Sequence, residues 1–192
     1  MKKDPVTYRR RPFLTPIWLS VMGALVTFAA FGLLVVAAWV WATADSTTVV
    51  LVRHAEKVTG TATDPPLTAA GEERAVRLAN MFGDVKGLGR LDAIYVSPAL
   101  RNRLTAAPLA ARLGIEVTVT SADDPRELAH RVLHEHGGGR VLIVGHGDTV
   151  PAIAGALTGS KEIPQMGNAE YGTMYIVTVP RVGHANLLRL NY

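Results

Sequence analysis

The 192-residue chain contains no cysteine. Disulfides, thiolate zinc sites and a cysteine nucleophile are therefore excluded. No segment repeats with a period of 20–50 residues, which removes solenoids and propellers. An excess of one charge is missing from most of the chain as well. The net charge of +4 resides in residues 1–44, where Lys2, Lys3, Arg9, Arg10 and Arg11 face Asp4 alone. Of the 20 basic and 16 acidic groups, 15 of each remain for the other 148 residues. A balanced domain lacks the electrostatic footprint of a nucleic-acid binder, and no nucleic-acid partner is expected.

Charge is also absent from Ile17 through Ala44, a run of 28 residues. As a helix it would span about 42 Å, against a hydrocarbon core of about 30 Å. The three tryptophans of the chain, Trp18, Trp39 and Trp41, lie near its ends, as interfacial belts require. With no polar face, the run does not read as an amphipathic core helix. Five basic residues precede it and Asp45 follows, so the positive-inside rule puts the N-terminus in the cytoplasm and the rest outside. The expected organisation is a cytoplasmic basic tail over 1–16, a transmembrane signal anchor over 17–44 and a catalytic domain over 45–192. Ala42-Thr43-Ala44 has the form of a signal-peptidase site, but the apolar run exceeds the usual 7–15 residues of a cleaved signal. Arg10-Arg11-Pro12-Phe13-Leu14 echoes a twin-arginine signal. The connection over 43–47 reaches at most about 18 Å, which keeps an anchored domain close to the bilayer.

In the folded part, strands and helices alternate. Strands are expected at Thr48–Arg53, Asp92–Val96, Ile115–Val119 and Val141–Gly145, with final strands at Thr173–Val179 and Ala185–Asn191. Helices are expected over about 69–85, from Ser97 as cap and Pro98 at the first position to about Leu113, over 125–136 and from Pro151 to Leu157. The pattern predicts an α/β fold, a three-layer α/β/α sandwich with a mostly parallel central sheet, the last strands antiparallel, preceded by one transmembrane helix.

Chemistry-bearing residues gather where strands end and helices begin. Arg53 and His54 close the first strand, Arg101 lies early in a helix, and His146 follows Val141–Gly145 and precedes another helix start. Helix N-termini attract anions, and Gly145 and Gly147 leave room for an oxygen to approach the main chain. Arginine neutralises and orients a phosphate dianion, while a neutral imidazole can attack phosphorus.

Val52-Arg53-His54-Ala55-Glu56-Lys57, Ser97-Pro98-Ala99-Leu100-Arg101 with Thr105-Ala106, and Gly145-His146-Gly147-Asp148 together resemble the three signatures of the histidine phosphatase superfamily, phosphoglycerate mutase-like branch. Asp64-Pro65-Pro66-Leu67-Thr68-Ala69-Ala70-Gly71 is similar to that family's turn before the first helix. The resemblance implies that His54 takes the phosphoryl group as a phosphohistidine and that Arg53, Arg101 and His146 hold its oxygens. It implies no cofactor and no metal. A leaving alkoxide needs a proton donor; Asp148, Glu56 and Glu127 are equal candidates for that general acid, and the bland role of Asp148 is a helix cap. Arg103 points about 200° away from Arg101 on a helix, so the motif selects Arg101. Lys57 reads as a rim charge and Tyr171 and Tyr175 as rim or packing residues. His130 and His134 stand one turn apart with His136 after them, but no glutamate accompanies them as in a zinc helix, and a solvated helix face is expected.

The expected function is a membrane-anchored phosphatase of phosphomonoesters. A phosphoglycerate mutase-like phosphotransferase and a non-catalytic phosphate-binding module are the alternatives. The partner would be a phosphorylated small molecule or envelope component, at the cytoplasmic (inner) membrane with the catalytic domain outside.

Overall fold

A computed structural model describes residues 17–44, 46–60, 63–83, 90–121, 123–160 and 162–192. The chain divides into two compact units at Trp41 and Ala42. The first holds α1 (Ile17–Ala44) as far as Trp41, and the bounds of this helix are those of the uncharged run. Trp18–Trp41 is fully exposed along its length and apolar enough to cross a membrane.

The second unit is a six-stranded sheet between two helical layers. Its elements are β1 (Ser46–Arg53), α2 (Ala69–Gly83), β2 (Ala93–Val96), α3 (Leu100–Leu113), β3 (Val117–Val119), α4 (Pro125–Glu135), β4 (Arg140–Gly145), α5 (Thr149–Thr158), β5 (Thr173–Pro180) and β6 (Asn186–Asn191). Strand order is β3-β2-β4-β1-β5-β6. The first four strands run parallel, and β5 and β6 join antiparallel. The three-layer sandwich with a mostly parallel sheet is thus the observed architecture.

Strand alternation explains the two cores. Val50 and Val52 point to one face, with Ile94, Leu142 and Val144, and pack on Leu78 and Phe82 of α2 and Leu109 of α3. Val49 and Leu51 point to the other, with Tyr95 and Ile143, and pack on Val132 of α4 and Ile153 of α5. Central strands covered on both faces need a continuous apolar run, which Val49-Val50-Leu51-Val52 supplies. Gly138 turns the chain from α4 into β4 with a left-handed φ of 79°, and its N–H donates to Thr47 Oγ1 at 2.9 Å.

The topology makes the site. β1 and β4 are adjacent and parallel, yet the chain leaves β1 toward α2 on one face and leaves β4 toward α5 on the other. The loops diverge and open a crevice at the carboxyl ends of both strands, where doubly wound folds bind ligands.

One local expectation is corrected. Helix α3 begins at Leu100 with Ala99 in the cap position and no side-chain cap, so Ser97 is not its cap and Pro98 is not its first residue. The free amide of Leu100 instead donates to the Asp64 carboxylate, 3.0 Å from each oxygen, across 36 residues.

Candidate active site

His54 follows the last residue of β1 and its amide donates to Gly145 O of β4 at 2.9 Å. The residue is almost wholly buried. Its Nδ1 lies 2.7 Å from Ala55 O. A carbonyl oxygen only accepts, so Nδ1 carries the proton and Nε2 keeps a lone pair. Burial, reinforced by the charges of Arg101 and Arg53, depresses this imidazole to about 4, against the hydrogen bond to Ala55 O that raises it. At neutral pH it is uncharged. The loop is fixed from behind, because Ala55 N donates to Thr105 Oγ1 at 2.9 Å and that hydroxyl donates to Arg101 O at 2.7 Å.

His146 stands across the crevice after β4. The two imidazole rings are 5.5 Å apart, edge to face. His146 Nδ1 is 3.4 Å from Arg101 Nη2, and Nε2 is 2.9 Å from Ser97 Oγ. Burial first, and Arg101 next, lower the pKa of His146. Arg101 leans loosely on Asp64, 3.7 Å away, while Arg103 points to solvent.

Arg53 is held without a carboxylate. Strand alternation sends it to the α5 side, where Nη1 donates to Gly167 O at 2.7 Å and to Glu170 O at 3.2 Å. Its guanidinium lies 4.4 Å over the Tyr171 ring, and that ring is 5.9 Å from His54. A Cβ at Gly147 would press on Met166 O at 3.2 Å and lie in ordinary contact with Arg53 Cζ at 3.5 Å. Nε of Arg53 and of Arg101 are buried with no hydrogen-bond partner among the described residues. Two arginines with unsatisfied donors beside two imidazoles suit an anion the size of a phosphoryl group.

The structure therefore brings Arg53, His54, Arg101 and His146 together. It gives the three carboxylates other duties. Glu56 is bound by Arg74 through both oxygens, at 2.5–3.0 Å, and that hydrogen bonding holds its carboxyl below the usual range. Asp148 caps α5 by accepting from Thr149 N at 2.8 Å. Glu127 pairs with Arg131 one turn along α4 at 3.0 Å. His130 and His134 stack at 6.2 Å on α4, and the described residues contain no group of three metal-ligating side chains. Lys57 bridges to Leu67 at the rim.

Asn102 and Glu170 support this site and were not singled out from the sequence, while Asp64 and Ser97 stood in the quoted motifs without these roles. For Asn102 a signal existed. It stands on the buried stripe of α3 with Thr105, Ala106, Leu109 and Ala110, where a polar residue needs partners.

Comparison with known proteins agrees with this geometry. Residues 49–127 match the family model described as histidine phosphatase superfamily (branch 1). No curated protein matches the sequence. Among solved structures, the protein histidine phosphatase SixA, complexed with tungstate, superposes with a TM-score of 0.60 at 20% identity, over 75% of this chain and 96% of that one. A mycobacterial glucosyl-3-phosphoglycerate phosphatase gives 0.59 at 18% identity, covering 76% and 99%. A phosphoserine phosphatase from Entamoeba histolytica, in complex with phosphoserine, gives 0.56 at 21% identity, covering 76% and 96%. The folded unit thus has the fold of these structures along its length, and its first half is similar to the histidine phosphatase superfamily model.

Proposed function

We propose that the chain is a membrane-anchored phosphatase that hydrolyses a phosphomonoester through a phosphohistidine on His54, without a metal. One observation carries this reading. The unprotonated Nε2 of His54 stands in the field of Arg53, Arg101 and His146, the last with its ring 5.5 Å away. Substrate phosphate enters between the guanidiniums, and Nε2 attacks phosphorus in line with the leaving oxygen. The P–O bond breaks, and the leaving oxygen departs as its anion and takes a proton from water. Arg53 and Arg101 stabilise the charge on the equatorial oxygens, a task a metal performs elsewhere. Water then attacks the phosphohistidine, releasing inorganic phosphate and restoring His54.

The anchor reading rests on α1, which is long and uncharged. The basic residues before it favour an inner-membrane protein with the domain outside. Phosphorylated small molecules and envelope components are the substrates this reading favours.

The test uses the full chain in detergent, an aryl phosphate and excess chelator. Turnover that disappears in His54→Ala, with a phosphate mapped to His54 by mass spectrometry under alkaline handling, is the expected result. Turnover that survives His54→Ala, or that stops on chelation, overturns the mechanism. Phosphate binding without turnover favours the non-catalytic module. A reporter fused after Tyr192 checks orientation, and a cytoplasmic signal would reverse it.

A further inference from the structure

His146 has a second environment, on the side away from the hollow. Its Nε2 is 2.9 Å from Ser97 Oγ and 3.2 Å from the carboxamide of Asn102, and Ser97 and Asn102 are themselves in hydrogen-bond contact. Asn102 is fully buried and Ser97 is nearly so. As the carboxamide is placed, its nitrogen faces this pair and its oxygen is buried with no hydrogen-bond partner among the described residues.

That placement leaves a conflict at both ring nitrogens. With the amide nitrogen donating to Ser97, Nε2 is the acceptor among the described residues that the serine hydroxyl can reach. A neutral His146 then carries its proton on Nδ1, which faces an Arg101 nitrogen that can only donate. Carboxamide oxygen and nitrogen differ little in shape, so orientation is decided by the network. Turning the group over removes the conflict. The oxygen accepts from Ser97 Oγ–H and from Nε2–H, and the Nδ1 lone pair accepts from Arg101 Nη2. The oxygen of Asn102 is then paired, and its amide nitrogen takes the buried place the oxygen held.

We propose that Asn102 turns its carboxamide oxygen to Ser97 and His146, so that the two residues keep a proton on Nε2 and present Nδ1 to the phosphoryl group. Ser97 and Asn102 are then positioning residues acting through His146. This rests on the phosphoryl-transfer reading of the site. When a phosphate monoanion enters, its proton passes to Nδ1, leaving a bound dianion beside an imidazolium. Nδ1–H donates to a phosphoryl oxygen and Nε2–H stays with the buried pair. The charges facing His146 are Arg101, Asp148, Arg53 and Lys57. Three of the four are cations that oppose its protonation in the empty site, so a fixed acceptor on Nε2 matters most there.

The experiment is nitrogen NMR of the full chain in detergent with ¹⁵N-labelled histidine. Signals are assigned by their loss in His146→Gln. In the empty protein at pH 8, Nε2 of His146 is protonated and Nδ1 is not; inorganic phosphate then adds a proton at Nδ1. The reverse pattern in the empty protein, proton on Nδ1 and lone pair on Nε2, overturns the proposal. Asn102→Asp keeps an acceptor and cannot present a donor, so His146 should stay charged to higher pH. Asn102→Leu has no acceptor and should lower kcat/KM on aryl phosphate roughly 10–100-fold. An aspartate variant whose His146 titrates as in the leucine variant also refutes it. Should either variant fail to fold, the wild-type spectrum decides. Should the chain prove unable to turn over aryl phosphate, the proposed activity fails while the proton position in the empty protein is still read.

Discussion

Burial of the nucleophile has a consequence for stability that acid should expose. His54 is 3% exposed and its imidazole is depressed from 6.5 to about 4. In the unfolded chain it takes up a proton near pH 6.5; in the folded domain it resists until about pH 4. The unfolded state therefore binds more protons between these values. Stability supplied by the neutral ring is complete above pH 6.5 and is lost as pH falls toward 4. At about 1.4 kcal/mol for each pH unit separating the two values, the full loss is roughly 3 kcal/mol, of which about 2.5 kcal/mol has appeared by pH 4.5. His54→Asn cannot take up this proton and should be spared that loss. The assay is urea unfolding of the full chain in detergent at pH 7 and pH 4.5, wild type against variant, so that other titrating groups cancel. Tryptophan fluorescence is blind to it, since Trp18, Trp39 and Trp41 all lie in α1. Near-ultraviolet circular dichroism from Tyr95, Tyr175 and Tyr192, which are in the folded unit, serves instead. If both proteins lose the same free energy between the two pH values, His54 titrates normally and the argument from burial is wrong.

Arg101→Met should lower kcat/KM on aryl phosphate by about 10³-fold or more, the scale of a transition-state arginine, whereas Arg103→Met, on the exposed side of α3, should change it only a few-fold. Equal losses in the two variants would show that the wrong guanidinium has been placed in the hollow. With Glu56, Asp148 and Glu127 all engaged elsewhere, rates should depend steeply on the leaving group, alkyl phosphates reacting about 10²–10⁴-fold more slowly than aryl phosphates. A flat series would reveal a proton donor at work. Gly71→Ala would drive a Cβ into the Glu56 carbonyl and should cost about 1–3 kcal/mol in a denaturation midpoint, and an unchanged midpoint would refute the close packing of α2 on the loop after β1.

The sequence made the framework legible because its signals are local. An apolar β-branched run ending in Arg53-His54, and another ending in Gly145-His146, identify two buried strands and what stands at their carboxyl ends. What it concealed depends on contacts between distant residues. Ser97-Pro98 has the form of a helix start, yet α3 begins three residues later. The Ser97 hydroxyl is spent on His146, 49 residues away, and Asp64 supplies the acceptor at the helix end. Glu56 beside the nucleophile reads as an acid until α2 places Arg74 against it. Chain spacing cannot announce such a pairing. Buried position on α3 was the one available clue to Asn102, and apolar periodicity alone passed over it.

How each arginine is partnered separates scaffold from site. Arg74, half-buried on α2, is met by a full carboxylate, Glu56, so its charge is neutralised within the fold. Arg53 is at least as buried, 8% exposed, but its partners are two neutral carbonyls and the face of Tyr171. Those groups orient the guanidinium and leave its charge intact. Arg101 keeps its distance from half-exposed Asp64, at 3.7 Å. Burying unneutralised cations is costly unless something repays it. Here the dipoles are already fixed and the donors at Nε unfilled, so an arriving dianion gains the interaction without reorganising the protein. Burial depresses His54 first, and the same two cations add to it, so its lone pair stays free. The uncompensated charge that binds phosphate thus also helps to keep the nucleophile unprotonated at neutral pH.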